Sequence, residues 1–147
     1  MSRILTIYNT EDLKILKQKS KRVASIDDSV RMICSKLVDT MEEQFAAGLS
    51  APQIGILKRI VVTEEGVYIN PEVLEYSEEK VIMNEGCLSI PNIFEKIDRP
   101  KSIKMKWRDT KGKPHIEMIS GFNARVLQHE IDHLDGILLT EIIGEKQ

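Results

Sequence analysis

Apolar positions along the chain fall into stretches of different period. From Asp27 or Asp28, either able to cap a first turn, Val30, Ile33, Leu37, Met41 and Phe45 recur every three or four residues, which predicts an amphipathic helix. Gly48 lies just past the last apolar position, where a left-handed residue often ends a helix. Pro52 blocks continuation, so the end is expected near residue 46. The period then shortens: Arg59 to Thr63, Val67 to Asn70, Val81 to Met83, Ser102 to Trp107 and His115 to Ile119 are short, β-branched segments bounded by turns. Within SIKMKW, Ile103, Met105 and Trp107 alternate with Lys104 and Lys106, which predicts one buried and one wet face, and DTKGKP over 109–114 reads as the hairpin turn that follows. A last helix is expected from Asn123, its cap, to Leu134, stopped by Gly136. Residues 1–26 mix apolar pairs with lysines without a sustained period and read as an arm, with no helix. The fold class is therefore α+β: an N-terminal amphipathic helix, a β-rich middle of short, mostly antiparallel strands and a C-terminal helix. No repeat or linker divides residues 1–147, which read as one domain.

Composition changes this picture little. The chain has 147 residues, 41% of them hydrophobic, and a formal charge of −2. That argues against a general nucleic-acid binder, which needs clustered cations, and no direct nucleic-acid binding is expected. Unbroken apolar runs such as Ile137-Leu138-Leu139 are far shorter than the roughly 20 residues of a membrane span. Cys34 and Cys87 form no CxxC pair or secreted framework, and the N-terminal MSRILTIYNTEDLKILK lacks the apolar region of a signal peptide. A reducing cytoplasm is the expected compartment.

The chemistry concentrates in His129-Glu130-Ile131-Asp132-His133, an H-E-x-x-H pattern inside the predicted last helix. Residues four apart share a helix face, so both imidazoles can reach one metal ion while Glu130 stays free as a proton carrier. Two histidines leave a tetrahedral site short of a ligand. Cys87, in Glu85-Gly86-Cys87-Leu88-Ser89, is the candidate third donor, since a thiolate suits Zn or Fe(II) and a His₂Cys set keeps one position open. Cys34, inside the amphipathic stretch, reads as core filler. The loop Gly48-Leu49-Ser50-Ala51-Pro52-Gln53-Ile54-Gly55 is a helix terminus and turn whose small side chains would let a peptide approach the backbone. There the Gln53 amide would offer a donor to a developing oxyanion.

In order, G-L-S-A-P-Q-I-G, E-G-C-L-S and Q-H-E-I-D-H-L-D-G resemble the three signature motifs of the peptide deformylases, enzymes that remove the N-formyl group from the initiator methionine of nascent chains. The resemblance implies a metallohydrolase acting on N-formyl-methionyl nascent peptides at the ribosome and releasing formate, with no membrane partner. It implies Cys87, His129 and His133 as metal ligands, Glu130 as acid and base, and Gln53 with the Leu88 backbone N–H at the oxyanion. It further implies Gly48, Leu49 and Ser50 as the peptide-binding segment, and Glu85 paired with Arg99 behind the ligands. Fe(II) is the implied native ion, with Zn(II), Ni(II) or Co(II) able to substitute. Ala46 and Ser50 replace a glycine and an alanine of the family pattern, Phe94 stands where some members carry a peptide-binding arginine, and the chain stops at Gln147, sooner than many bacterial relatives. Asp132, Asp135 and Gln128 either orient the imidazoles or face solvent.

Two other readings stay open at this level. A small zinc metalloprotease shares H-E-x-x-H, but no histidine follows His133, and His115 lies upstream in a strand. A non-catalytic, metal-stabilised binding module would close all four metal positions with protein ligands and needs neither Glu130 nor Gln53.

Overall fold

The computed structural model describes residues 2–145. Helices α1 (Thr10–Leu16) and α2 (Asp28–Glu43) precede strands β1 (Gly48–Ser50), β2 (Ile60–Thr63), β3 (Gly66–Tyr76), β4 (Lys80–Cys87), β5 (Ile90–Pro100), β6 (Ser102–Arg108) and β7 (Pro114–Ser120). Helices α3 (Gly121–Leu134) and α4 (Leu139–Glu145) close the chain, and a short 3₁₀ turn, Ala51–Ile54, follows β1. The α+β class holds, and every strand ladder is antiparallel.

The main sheet runs β1-β2-β3-β6-β7, so β1 is an edge strand. Period-two alternation sorts its side chains between two helices. Ile60 and Val62 join Leu49 and Ile69 beneath α2, where Val30, Cys34, Leu37 and Met41 are buried. Val61, on the opposite face, joins Tyr68, Ile103 and Met105 beneath α3, against Ala124, Leu127, Ile131 and Leu134. The expected alternation in β6 is correct: Ile103 and Met105 are fully buried, while Trp107, partly exposed, stacks on His115. Strands β4 and β5 form a separate hairpin whose Ile90 and Ile97 pack with Leu5, Leu16, Leu138 and Leu139. Among the described residues no helix is long and apolar enough to cross a membrane.

Several expectations need correction. The N-terminal arm contains α1, capped by the Asn9 side chain accepting from Asp12 N–H. Only seven residues long, this helix is held by tertiary contacts rather than by a readable period. Asp27 does cap α2, accepting from Val30 N–H at 3.0 Å. That helix ends at Glu43, however, and its left-handed terminator is Phe45 (φ 53°), with Gly48 instead opening β1. Strand β5 was not anticipated, and β3 and β4 are longer than expected. In a two-stranded ribbon both faces are largely wet, so IPNIFEKIDRP shows no clean apolar alternation and carries proline at both ends. Ser120, not Asn123, precedes the metal-motif helix, and that helix is followed by α4. Gly136 ends α3 as expected, at φ 72°.

Candidate active site

Helix α3 and the β4–β5 hairpin meet at one point. His129 and His133 sit one turn apart on α3, with ring centroids 5.2 Å apart. Cys87 ends β4, just after a register irregularity at Gly86, which turns its sulfur toward the helix. Sγ lies 3.2 Å from His133 Nε2, and one donor atom from each of Cys87, His129 and His133 lies within 4.8 Å of the others. Among the described residues this is the only such convergence of three metal-ligating side chains. Cys34 is elsewhere, buried beneath the sheet, where desolvation pushes its thiol up to about 11.

Behind the histidines lies a carboxylate held by cations. Buried Glu85 accepts from His129 Nδ1 at 3.0 Å, from Arg99 Nε at 2.5 Å and Nη2 at 2.9 Å, and from Arg125 Nη1 at 2.5 Å. Burial opposes its charge, but bonds from His129, Arg99 and Arg125 outweigh it and hold the carboxyl far below its ordinary range. Glu85 thereby fixes the ring of His129 and leaves Nε2 as the nitrogen available to an ion. Arg125 also donates to the carbonyls of Ile97 and Val81, so it staples the hairpin to α3. Sequence reasoning missed it. The signal was its position one helical turn before His129, on the same face.

Glu130 is buried, and desolvation first, then the nearby Glu85 and Asp132 charges against the opposing His129 and Arg99, raise its carboxyl to about 7. Its Oε1 has no hydrogen-bond partner among the described residues. The Gln53 side chain is locked by the peptide turn, its Oε1 accepting from Ser50 N–H and Oγ, each at 3.0 Å. That aims Nε2 at Cys87 Sγ, 3.6 Å away, and at Ser89 Oγ, 3.3 Å away. Leu88 follows Cys87 in the β4–β5 turn. Gly48, Leu49 and Ser50 form β1, paired with β2 along one edge only. Leu49 points into the core, and Gly48 faces α3. Together Gly48, Gln53, Cys87, His129 and Glu130 line a cavity of about 560 Å³.

Thiolate, two imidazoles and an adjacent carboxylate with an unpartnered buried oxygen suit a divalent ion with one open position, because such an oxygen is costly unless an ion's water or a substrate meets it. The competing readings fare worse. His115 bonds Asp109 at 2.8 Å and stacks on Trp107, away from the triad, so it supplies no protease-type ligand. Asp132 pairs with Arg99 and Asp135 with Arg59, each at 2.9 Å, while the Gln128 amide donates to the Pro100 and Ala124 carbonyls. Among the described residues none of the three hydrogen-bonds an imidazole or joins the metal-ligating group.

Comparison with known proteins agrees with this geometry. A family model described as polypeptide deformylase matches residues 2–147. The peptide deformylase of Thermotoga petrophila is 41% identical over 134 residues, covering 88% of this chain and 82% of the relative. The crystal structure of the Thermotoga maritima enzyme superposes with a TM-score of 0.90 at 38% identity, covering 97% of each chain. The Acinetobacter baumannii enzyme, crystallised with Met-Ala-Ser bound, gives a TM-score of 0.90 at 29% identity over 97% of this chain and 98% of that one.

Proposed function

This chain belongs to the polypeptide deformylase family, and from that premise we propose how its own side chains divide the work. The protein is a metal-dependent hydrolase that removes the N-formyl group from the initiator formyl-methionine of nascent polypeptides, releasing formate. Cys87, His129 and His133 hold the ion, with residues 1–147 working as one catalytic domain. Bound there, a divalent cation supplies Lewis acidity toward water and toward the formyl oxygen. Fe(II) is the native ion we favour, since a thiolate with two imidazoles suits it; Zn(II), Ni(II) and Co(II) can take its place.

Glu130 takes the proton from the attacking water through its unpartnered Oε1, then passes it to the departing amine as formate leaves. As charge grows on the formyl oxygen, Gln53 Nε2 and the Leu88 backbone N–H donate to it; Gln53 is held for this by Ser50 and needs no reorganisation. Glu85, anchored by Arg99 and Arg125, keeps the His129 ring in one tautomer. The open edge of β1 takes the peptide by strand addition along Gly48, Leu49 and Ser50. The enzyme acts in the cytoplasm on chains emerging from the ribosome.

The observation that carries this reading is the meeting of the Cys87–His129–His133 triad with a cavity that Cys87, His129, buried Glu130 and an aimed Gln53 line together. Formate release from formyl-Met-Ala-Ser by anaerobically purified protein, with metal content measured on the same sample, tests it. Glu130→Gln should keep one metal per chain and lose at least ~100-fold in turnover. Near-wild-type turnover at full metal content would overturn the role of Glu130, and failure to bind metal would overturn the ligand set.

A further inference from the structure

The chain contains three phenylalanines, and all three are exposed and line the active-site cavity: Phe45 at 97%, Phe94 at 74% and Phe122 at 58%. We propose that Phe45 and Phe94 form an aromatic rim that selects apolar side chains at the residues following formyl-methionine, a specificity that rests on the deformylase reading above.

Phe94 is fixed over the backbone beside the site, and Phe45 is held at a backbone cost that its own burial does not repay. Phe94 lies directly opposite Gly86 in the β4–β5 ladder, and a Cβ on Gly86 would come within 2.5 Å of its ring. The ring therefore covers the backbone immediately before Cys87, fixed beside the reacting centre while its other face stays open. Phe45 adopts a left-handed backbone (φ 53°), a conformation that is unfavourable for a bulky residue by about 1–2 kcal/mol, and buries almost none of its side chain in return. Asparagine or glycine would end α2 with less strain.

The occupant follows from continuity with the catalytic centre. The formyl group must reach Glu130 and Gln53, so the methionine side chain meets the nearest walls, buried Val126 among them. An extended peptide advances about 3.3 Å per residue, which carries the next residues outward to the most exposed part of the lining, Phe45 and Phe94. Charge excludes the alternative of an acidic peptide. Among the described residues Arg125 is the only lysine or arginine lining the cavity, and it is buried and committed to Glu85 and two carbonyls.

The test compares metal-loaded wild type, Phe45→Asn and Phe94→Ala on formyl-Met-Leu-Phe and formyl-Met-Glu-Glu, with calorimetric binding of the product Met-Leu-Phe. Phe45→Asn relieves backbone strain, so it separates lost recognition from lost folding. Wild type should prefer the apolar peptide by tenfold or more in kcat/KM. Each variant should cut that ratio about fivefold, ~1 kcal/mol, through KM rather than kcat, and weaken Met-Leu-Phe binding by a similar factor. Phe94→Leu should recover part of the preference. An unchanged ratio, or equal losses on both peptides, would overturn the rim while leaving deformylation intact. No turnover of either peptide would overturn the deformylase reading instead.

Discussion

At Gly48 the backbone passes so close to α3 that a Cβ would lie 2.5 Å from Val126 Cγ1 and 3.1 Å from both Glu130 Oε2 and the Val62 carbonyl. The tightest of these overlaps is with Val126, one α3 turn before Glu130, so relieving it displaces that turn and the carboxylate with it. Gly48→Ala should therefore move Glu130 more than it unfolds the protein. We expect about 1–3 kcal/mol of destabilisation from overpacking and a loss of tenfold or more in formate release with metal content unchanged, read by urea titration and by turnover on the same samples. Residue-scale chemistry of this kind was readable only in part. The ligands and Glu130 sit in a spacing that few structural needs explain, so sequence exposes them. Arg125 offers only its place one turn before His129, which a solvated arginine would share, and its partners Glu85, Val81 and Ile97 come from the hairpin, which only the fold brings near.

Elements matter through how their ends are tied. The last turn of α3 is held from outside: Arg59 donates to the Leu134 carbonyl and pairs with Asp135, and Ser20 N–H bonds Leu134 at 2.7 Å. Gly136 then turns away at φ 72°, and the Lys17 carbonyl, just past α1, occupies the space a Cβ would need. Any side chain there meets both a forbidden backbone region and a fixed carbonyl. Gly136→Ala should cost roughly 2–4 kcal/mol and, by shifting the turn that carries His133, lower metal affinity, measured by denaturation and by chelator competition. The amphipathic α2 and the alternating β6 were legible because each buries one face against a core, which imposes a period. Helix α1 and strand β5 were not, since a seven-residue helix and a ribbon strand of which only Ile90, Ile97 and Arg99 are buried are specified by what they dock against.

For the whole molecule, the metal site is a tertiary crosslink. Cys87 arrives on a hairpin that shares few buried side chains with the main sheet, while His129 and His133 belong to a helix packed on that sheet. The unfolded chain holds these donors 42 and 46 residues apart in sequence, 129 − 87 and 133 − 87, so an ion binds the folded form far better than the unfolded one. Its binding free energy adds to stability as RT ln(1 + [L]/Kd), about 2.7 kcal/mol at a hundredfold excess over Kd. For a domain of this size that corresponds to roughly 5–10 °C in Tm. Stripping the metal with a chelator under reducing, anaerobic conditions should lower Tm by about this amount, and readding Ni(II) should restore it. Cys87→Ser should abolish the Ni(II)-dependent shift, whereas Cys34→Ala, which leaves the site intact and only opens a small gap beneath α2, should lower Tm yet keep the shift whole. Differential scanning fluorimetry of the three proteins with and without Ni(II) makes the comparison. A full shift in Cys87→Ser would mean that the hairpin is not tied to α3 through the metal.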